Sequence, residues 1–249
     1  MPYDVNNPPA ETMPRSALGC WRSHANVWSH IISSGISSAL ILEDDVDFSV
    51  GIKDILEGVS THLQEVSGAR NGEPYGLVDG NSWDMLALGF CNHRLPFPKT
   101  NPKAMGKVRS WVDPYAPEIP RLPKKFSPEG RSSRIRVLTP AKGILCTHAY
   151  AVTREGAMRL LYNVGGPGHI LNLQMDWVMM GLMNRGTLKS YLTLPTIFSQ
   201  WRTGDWRGTD IQEKFSPKHG SSPQIIGSVR SELAEVLGKR NVWGEYERD

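Results

Sequence analysis

The feature that most limits how this chain can fold is a short apolar run that ends directly in three acidic residues. Residues 39–42 read Ala-Leu-Ile-Leu, and Glu43, Asp44 and Asp45 follow without a break. A continuous run of this length predicts a strand that is covered on both faces, which is typical of α/β sheets. In such sheets ligands bind beyond the carboxyl ends of the strands, so we expect the three acids at a ligand-binding edge.

The three adjacent carboxylates repel one another, and burial at the sheet edge would raise their pKa values. A divalent cation removes this conflict, and all-oxygen ligands select a hard ion such as Mn²⁺ or Mg²⁺. Continued strand geometry would direct Glu43, Asp45 and Asp47 to one side and Asp44 to the other. A solvated acidic turn is the alternative interpretation, and the spacing alone does not decide between the two.

A cation at this position implies the transfer of a group from a nucleoside diphosphate. A cation that is held by few carboxylates keeps positions for waters and substrate phosphates, and it stabilises a departing diphosphate. The sequence has no GxxxxGK[ST] motif, which argues against an ordinary P-loop kinase or ATPase.

Helices and strands alternate along the rest of the sequence, which predicts an α/β fold with helices around a mostly parallel sheet. Ser16 is the expected N-cap of the first helix, and Gly35 is expected to close it. The predicted helices cover residues 16–33, 52–66, 153–163, 173–184 and 225–239. Further strands are predicted over residues 85–89, 144–152 and 188–194.

A proline-rich and basic stretch interrupts this alternation between residues 94 and 134. It holds eight of the 18 prolines of the chain. Because proline lacks a backbone donor and fixes φ, we predict a long loop outside the core. A mobile flap at a functional site is one interpretation of this stretch, and a disordered segment is the other. Its basic residues either bind an acidic acceptor or keep the loop soluble.

The length of 249 residues suits one domain, or one domain with appendages. We predict a disordered segment over residues 1–14, a domain over 15–215 that includes the proline-rich stretch, and a helical extension over 216–249. The formal charge of only +3 argues against a nucleic-acid partner, because phosphate contacts need a dense basic face. Nothing in the sequence resembles the ~20 consecutive apolar residues of a membrane-spanning helix.

Three cysteines lie far apart, at Cys20, Cys91 and Cys146. This spacing excludes a zinc ribbon, a CxxC redox pair and a disulfide scaffold. One disulfide bond among the three cysteines remains possible, and the sequence does not reveal which two would form it.

Several ordered motifs resemble glycosyltransferase family 25, which includes lipopolysaccharide and procollagen galactosyltransferases. The motifs are LGCWRSHANVW at 18–28, ALILEDD at 39–45, WDMLALG at 83–89 and CTHAYAVTREGA at 146–157. Residues 175–177 (Met-Asp-Trp) match a later acidic position, and residues 195–200 match an element near the end. The similarity covers about residues 15–210.

The resemblance implies a GT-A fold, a UDP-sugar donor with galactose as the expected hexose, Mn²⁺ and inversion at the sugar. Glu43 and Asp45 would hold the metal, with Asp45 as the direct ligand and Glu43 or Asp44 assisting. Asp176 would act as the general base on a hydroxyl of a glycan or glycoprotein acceptor. On geometry alone, Asp176 reads equally well as an acid that complements a helix N-terminus.

Donor contacts are expected from Ser23, His24 and Asp44, and from Thr147 and His148 beside a later strand. On its sequence spacing alone, His24 is interpreted as a hydrogen-bonded core histidine. With the family resemblance added, contact with the donor is an equally supported interpretation. His148 carries the same two interpretations.

Trp201, Arg202 and Trp206 are the candidates for an acceptor platform. An aromatic face stacks on the C–H side of a sugar ring, and an arginine binds anions. A packed carboxy-terminal flap is the equal alternative for this segment.

Family members begin with a strand and a helix that help to hold the nucleotide, and nothing upstream of Arg15 is expected to match that unit. The chain is therefore either a fragment of a longer polypeptide or a domain that has lost part of the nucleotide cradle. In the second case a catalytically silent binding or structural domain is the alternative function. Localisation stays open: the secretory pathway if the chain belongs to a longer eukaryotic protein, and the cytoplasm otherwise.

Overall fold

The computed structural model of the chain describes seven segments. They cover residues 15–67, 83–96, 106–118, 134–165, 174–203, 219–220 and 225–236. The disordered segment that we predict for residues 1–14 lies outside them, as does most of the proline-rich stretch.

The described residues form five helices and twelve strands. The helices are α1 (Arg15–Ser33), α2 (Ile52–Ser67), α3 (Arg154–Gly165), α4 (Met175–Arg185) and α5 (Val229–Val236). The strands are β1 (Ser38–Leu42), β2 (Val46–Phe48), β3 (Met85–Gly89), β4 (Asn92–Arg94), β5 (Arg109–Val112), β6 (Ile135–Pro140), β7 (Gly143–Leu145), β8 (Ala149–Thr153), β9 (Ser190–Leu194), β10 (Phe198–Gln200), β11 (Arg202–Thr203) and β12 (His219–Gly220).

Six strands form the central sheet, in the order β1-β8-β3-β9-β6-β5. Within this sheet β3 and β9 pair in parallel, and the other four neighbouring pairs are antiparallel. The α/β class is confirmed, but the prediction of a mostly parallel sheet is wrong, because the sheet is mixed and mostly antiparallel. An apolar run indicates that a strand is buried and does not indicate its direction.

The central strand β3 is buried on both faces, and its side chains alternate between two apolar clusters. Met85 and Ala87 join the cluster that contains residues of α1, α3 and α4. Leu86 and Leu88 join the cluster that contains residues of α2. Helices therefore cover the sheet from both sides. Among the described residues, none of the helices combines the length and the hydropathy that crossing a bilayer requires.

The strand β1 departs from the expected burial on both faces. Ile41 is buried, whereas Leu40 and Leu42 are each 44% exposed. In the described part of the chain β1 pairs with β8 alone and forms one edge of the sheet. Its edge position explains why one face of this apolar strand stays open.

Part of the proline-rich stretch joins the central sheet, contrary to the prediction of a long loop. The segment 109–112 forms the edge strand β5 beside β6. It lies between Pro102 and Pro114, where no proline removes a donor from the backbone. Next to it, buried Arg136 of β6 forms an ion pair with Asp113.

The single strand that we predict over residues 144–152 is divided into β7 and β8. Cys146 between them has a φ of 63°, which ends the extended conformation and lets the chain leave the small β4–β7 pair for the central sheet. Cys146 is joined by a disulfide bond to Cys91, and Cys20 is free. The structure thus identifies the bridge that the sequence left open.

Local signals at the ends of the helices are mostly confirmed. Gly35 and Gly186 adopt left-handed φ values of 68° and 77° after α1 and α4. Thr153 accepts a hydrogen bond from the Gly156 amide through Oγ1 at 3.0 Å and so caps α3. Ser16 is not the N-cap of α1, because the described helix already includes Arg15.

Candidate functional site

A cleft of about 480 Å³ opens where β1 ends, between α1 and the residues that follow the strand. We refer to residues 43–47 as the acidic turn. The cleft brings together five of the residues that the sequence predicts for the site, and Gln200, which we did not predict for it. The predicted residues that line the cleft are Ser23, His24, Glu43, Asp44 and Asp45.

The first half of the acidic turn is held by the loop after β7 and by the end of β10. The Glu43 amide donates to the His148 carbonyl at 3.0 Å. The Asp45 carbonyl accepts from the Trp201 amide at 2.7 Å, and Asp45 Oδ2 accepts from Gln200 Nε2 at 2.6 Å. The backbone of the turn and one carboxylate are therefore fixed by residues more than 100 positions away in sequence.

The second half of the turn is held by the start of α5. The Arg230 guanidinium donates to the Asp44 carbonyl at 2.8 Å and to the Val46 carbonyl at 3.1 Å. Asp47 accepts from Ser228 Oγ at 2.6 Å and from the Arg230 amide at 3.2 Å. Sequence reasoning missed Arg230, because no local pattern links a carboxy-terminal helix to a turn almost 190 residues earlier.

Asp47 does not lie beside Glu43 and Asp45 in the cleft, so the expectation from continued strand geometry is wrong. Its side chain is fully buried and faces Ser228. The chain turns at Asp44 and Asp45 before β2 begins. This turn breaks the two-residue alternation on which the expectation depended.

A line of hydrogen-bonding side chains connects the core to the acidic turn. Trp28 Nε1 donates to the Tyr150 hydroxyl at 2.9 Å, and that hydroxyl lies 2.7 Å from His24 Nδ1. His24 Nε2 in turn lies 3.7 Å from Glu43 Oε1. His24 is buried and also lines the cleft, so both interpretations of this residue meet in one position.

The proton positions in this line follow from the chemistry of its members. Burial raises the pKa of Tyr150, which therefore stays a neutral phenol with one proton. Trp28 can only donate, so the phenol oxygen accepts from it, and within the described residues the phenol proton has His24 Nδ1 as its partner. The second nitrogen of His24 then carries a hydrogen that faces Glu43.

Glu43 is held as a carboxylate by the groups around it. Burial alone would raise its pKa, but the nearby His24 ring, whose Nε2 lies 3.7 Å away, the hydrogen bond from Thr147 and the nearby His148 imidazole outweigh burial and lower the pKa. Thr147 Oγ1 donates to Glu43 Oε1 at 2.7 Å. Thr147 therefore acts on the site through Glu43.

The pKa of Asp45 shifts in the opposite direction to that of Glu43. Burial raises its pKa, the charges of Glu43 and Asp44 raise it further, and the hydrogen bond from Gln200 opposes them. Its second oxygen, Oδ1, is buried and has no hydrogen-bond partner among the described residues. An unpartnered carboxylate oxygen in a field of neighbouring negative charge fits a cation as its missing partner.

Cys20, one turn before His24 on α1, adds a thiol to the same cleft. Its sulfur, one His24 nitrogen and one Glu43 oxygen lie within 4.8 Å of one another. Burial, with the charges of Glu43 and Asp176, raises the pKa of this thiol to about 11. Because His24 turns an N–H group rather than a lone pair toward Glu43, we do not assign a metal to this trio.

Asp176 does not line the cleft itself. Its carboxylate accepts from the Cys146 amide through Oδ2 and from the Trp177 amide through Oδ1, both at 2.9 Å. It is close enough to Cys20 for its charge to act on that thiol. These contacts fix the carboxylate at the start of α4, and its role as a general base stays a prediction.

For the remaining predicted site residues, the structure describes the side chains of some and only the backbone or no atoms of others. The His148 imidazole lies against the disulfide, with Nε2 3.6 Å from Cys91 Sγ. Trp201 is half-buried, and its amide holds Asp45. Arg202 contributes its backbone to β11, and its side chain lies outside the description. Trp206 lies outside the described residues.

Comparison with known proteins shows that the first part of the chain is similar to one protein family. The family model described as Glycosyltransferase family 25 (LPS biosynthesis protein) matches residues 3–75, which include α1, β1, the acidic turn and α2. The resemblance to this family is therefore confirmed over that segment. The match begins at residue 3, before the start of the similarity that we predict over about residues 15–210, whereas the absence of the family's first strand–helix unit stays a prediction.

Individual relatives cover less than half of the chain. Procollagen galactosyltransferase 1 from Danio rerio is 29% identical over 101 residues, which is 41% of this chain and 14% of the relative. Inactive glycosyltransferase 25 family member 3 from Mus musculus and from Homo sapiens is 27% identical over 78 residues, which is 31% of this chain and 11% of each relative. The chain thus matches a small part of the length of these relatives, and the matches support a glycosyltransferase-like protein.

The substitution Tyr150→Phe tests the hydrogen-bonded line from Trp28 to Glu43. It leaves buried Trp28 Nε1 and His24 Nδ1 without their partner, so the free energy of unfolding should fall by about 1–3 kcal/mol. Long-range ¹H–¹⁵N spectra of the wild-type protein should show His24 with its proton on Nε2. Tyr162→Phe, at a 77% exposed tyrosine, is the matched control and should change stability by less than about 0.5 kcal/mol. A His24 proton on Nδ1 would contradict this assignment.

Proposed function

We propose that this chain is a transferase domain that moves a hexose, expected to be galactose, from a UDP-sugar to a hydroxyl of a glycan or glycoprotein acceptor. One observation carries the proposal. The cleft at the end of β1 gathers Glu43, Asp44 and Asp45, and the family 25 match runs through the same segment. A GT-A-type nucleotide site is part of the proposal, since the three acids follow the carboxyl end of a strand.

The donor set suits a hard dication. Carboxylate oxygens select Mn²⁺ or Mg²⁺ over softer metals, and buried Asp45 Oδ1 has no hydrogen-bond partner among the described residues. Asp45 would be the direct ligand, with Glu43 or Asp44 assisting. When bound, the ion neutralises negative charge on a departing diphosphate.

The protein groups around the cleft have separate tasks in this proposal. Gln200 orients Asp45 through its hydrogen bond to Oδ2. Thr147 and His24 keep Glu43 ionised, which preserves negative charge at the cleft. Asp176, fixed by two main-chain amides, would take the proton of the acceptor hydroxyl as that oxygen attacks the anomeric carbon with inversion.

A second candidate function is a catalytically silent domain that binds a ligand or a partner without transferring a sugar. It is favoured by the similarity to relatives that are named inactive. The two functions differ in turnover. A transferase releases UDP from a UDP-sugar in a metal-dependent reaction, whereas a silent domain releases none.

The decisive activity test is a panel of UDP-sugars with Mn²⁺, with and without a chelator, in which released UDP is measured. We expect turnover with UDP-galactose that the chelator abolishes. Asp45→Asn should reduce turnover by about 100-fold or more, since the loss of several kcal/mol of charge stabilisation corresponds to that factor. Asp54→Asn, at an acid of α2 away from the cleft, is the control and should retain turnover. Wild-type protein that releases no UDP from any donor would favour the silent domain.

Gly19 offers a way to close the cleft without damaging the fold. It lies inside α1 and lines the cleft, and a Cβ at this position meets no atom within 4 Å. Gly19→Trp should therefore fill the cleft and abolish UDP binding in a calorimetric titration. Because glycine costs about 1 kcal/mol in a helix interior, Gly19→Ala should raise stability and keep UDP binding. Unchanged UDP affinity in Gly19→Trp would place the nucleotide elsewhere.

A further inference from the structure

A second cavity, of about 140 Å³, lies between β4, β7 and the first turn of α4. Trp177 lines it, and the side chain of this residue is 49% exposed. Ile144 and Met180 extend the apolar part of the wall. The half-exposed indole therefore offers a flat apolar face to a ligand in the cavity.

The strand β4 supplies polar groups to the same cavity. Asn92, His93 and Arg94 all line it. Burial lowers the pKa of His93, which is therefore a neutral imidazole near pH 7 with one N–H donor and one acceptor. Phe90 packs edge-on against the His93 ring, with the ring centroids 5.6 Å apart, and so limits its orientation. An apolar wall beside a few donors and acceptors matches a sugar, which has an apolar C–H face and a rim of hydroxyls.

The cavity is coupled to the residue that we expect to act as the base. Trp177 directly follows Asp176, and its amide donates to the Asp176 carboxylate at 2.9 Å. The other oxygen of Asp176 binds the amide of Cys146, which follows β7 on the cavity wall. The Asp176 charge also reaches Cys20 in the large cleft. Asp176 is thus hydrogen-bonded to the amide of a residue that lines this cavity, and its charge acts on a residue that lines the large cleft.

We propose that this cavity is the acceptor subsite, in which a pyranose ring stacks on the Trp177 indole and its hydroxyls bind His93 and Asn92. The inference rests on the proposed transferase function, because it places the acceptor beside Asp176. It differs from the platform predicted at Trp201, Arg202 and Trp206 in that the residues of the cavity wall are all described.

Binding of simple pyranosides to the full chain tests this subsite without any need for turnover. Methyl β-D-galactopyranoside and methyl β-D-glucopyranoside are titrated, with saturation-transfer NMR and the Trp177 indole ¹H–¹⁵N signal as readouts. We expect one or both to shift that signal. Trp177→Ala should weaken binding about five- to tenfold, whereas Trp177→Phe should retain most of it, because an aromatic face remains. Sorbitol, an acyclic polyol that lacks the ring face, should cause no shift.

Tyr162→Ala is the matched control, because Tyr162 is an exposed aromatic residue on α3 that does not line the cavity. It should bind the pyranosides as the wild-type protein does. The subsite is overturned if neither pyranoside shifts the Trp177 signal, if Trp177→Ala binds like the wild-type protein, or if sorbitol gives the same shift.

A parallel titration of the wild-type protein with UDP and Mn²⁺ separates the two proposals. Failure of that titration counts against the transferase function, whereas the pyranoside result decides the subsite. Binding of both ligands supports the complete arrangement of donor cleft, base and acceptor cavity.

Discussion

The set of hydrogen bonds around the acidic turn is the constraint on which the rest of the site depends. Three carboxylates within three residues repel one another, so the turn needs outside partners to keep one conformation. The loop after β7 binds the Glu43 amide, Trp201 binds the Asp45 carbonyl, and Arg230 binds the carbonyl groups on either side of Asp45. These partners hold main-chain atoms and leave the carboxylates to other contacts, which are Thr147 at Glu43 and Gln200 at one oxygen of Asp45.

A second consequence is that the core and the cleft share a residue. The His24 ring is buried beside Tyr150, yet it lines the cleft and faces Glu43. The packing of the core thereby sets which nitrogen of the histidine carries a proton and which charge the cleft presents. The Cys91–Cys146 bridge supports the neighbouring loop, whose amide also orients Asp176. Stability and site geometry are coupled through these few contacts.

Much of this arrangement could be predicted from local sequence. The apolar run before Glu43, the glycine at position 35 and the cap at Thr153 each act within a few residues. The structure confirms the strand, the helix end and the cap, but not the burial of the strand on both faces. The direction of the strands could not be predicted, because a buried strand has the same composition in either direction. The contacts of Arg230 with the acidic turn also escaped prediction, since they bridge more than 180 residues of sequence. Long-range pairing depends on the complete fold rather than on any window of the chain.

The central claim is that the acidic turn presents Asp45 to a dication that binds together with a nucleoside diphosphate. Electron paramagnetic resonance of Mn²⁺ measures this directly, because the six-line signal of the free ion falls when the ion binds to protein. The account predicts about one bound Mn²⁺ per chain when UDP is present, weaker binding without UDP, and loss of this site in Asp45→Ala. A free-ion signal that the protein leaves unchanged in the presence of UDP, or equal binding by Asp45→Ala, would contradict it.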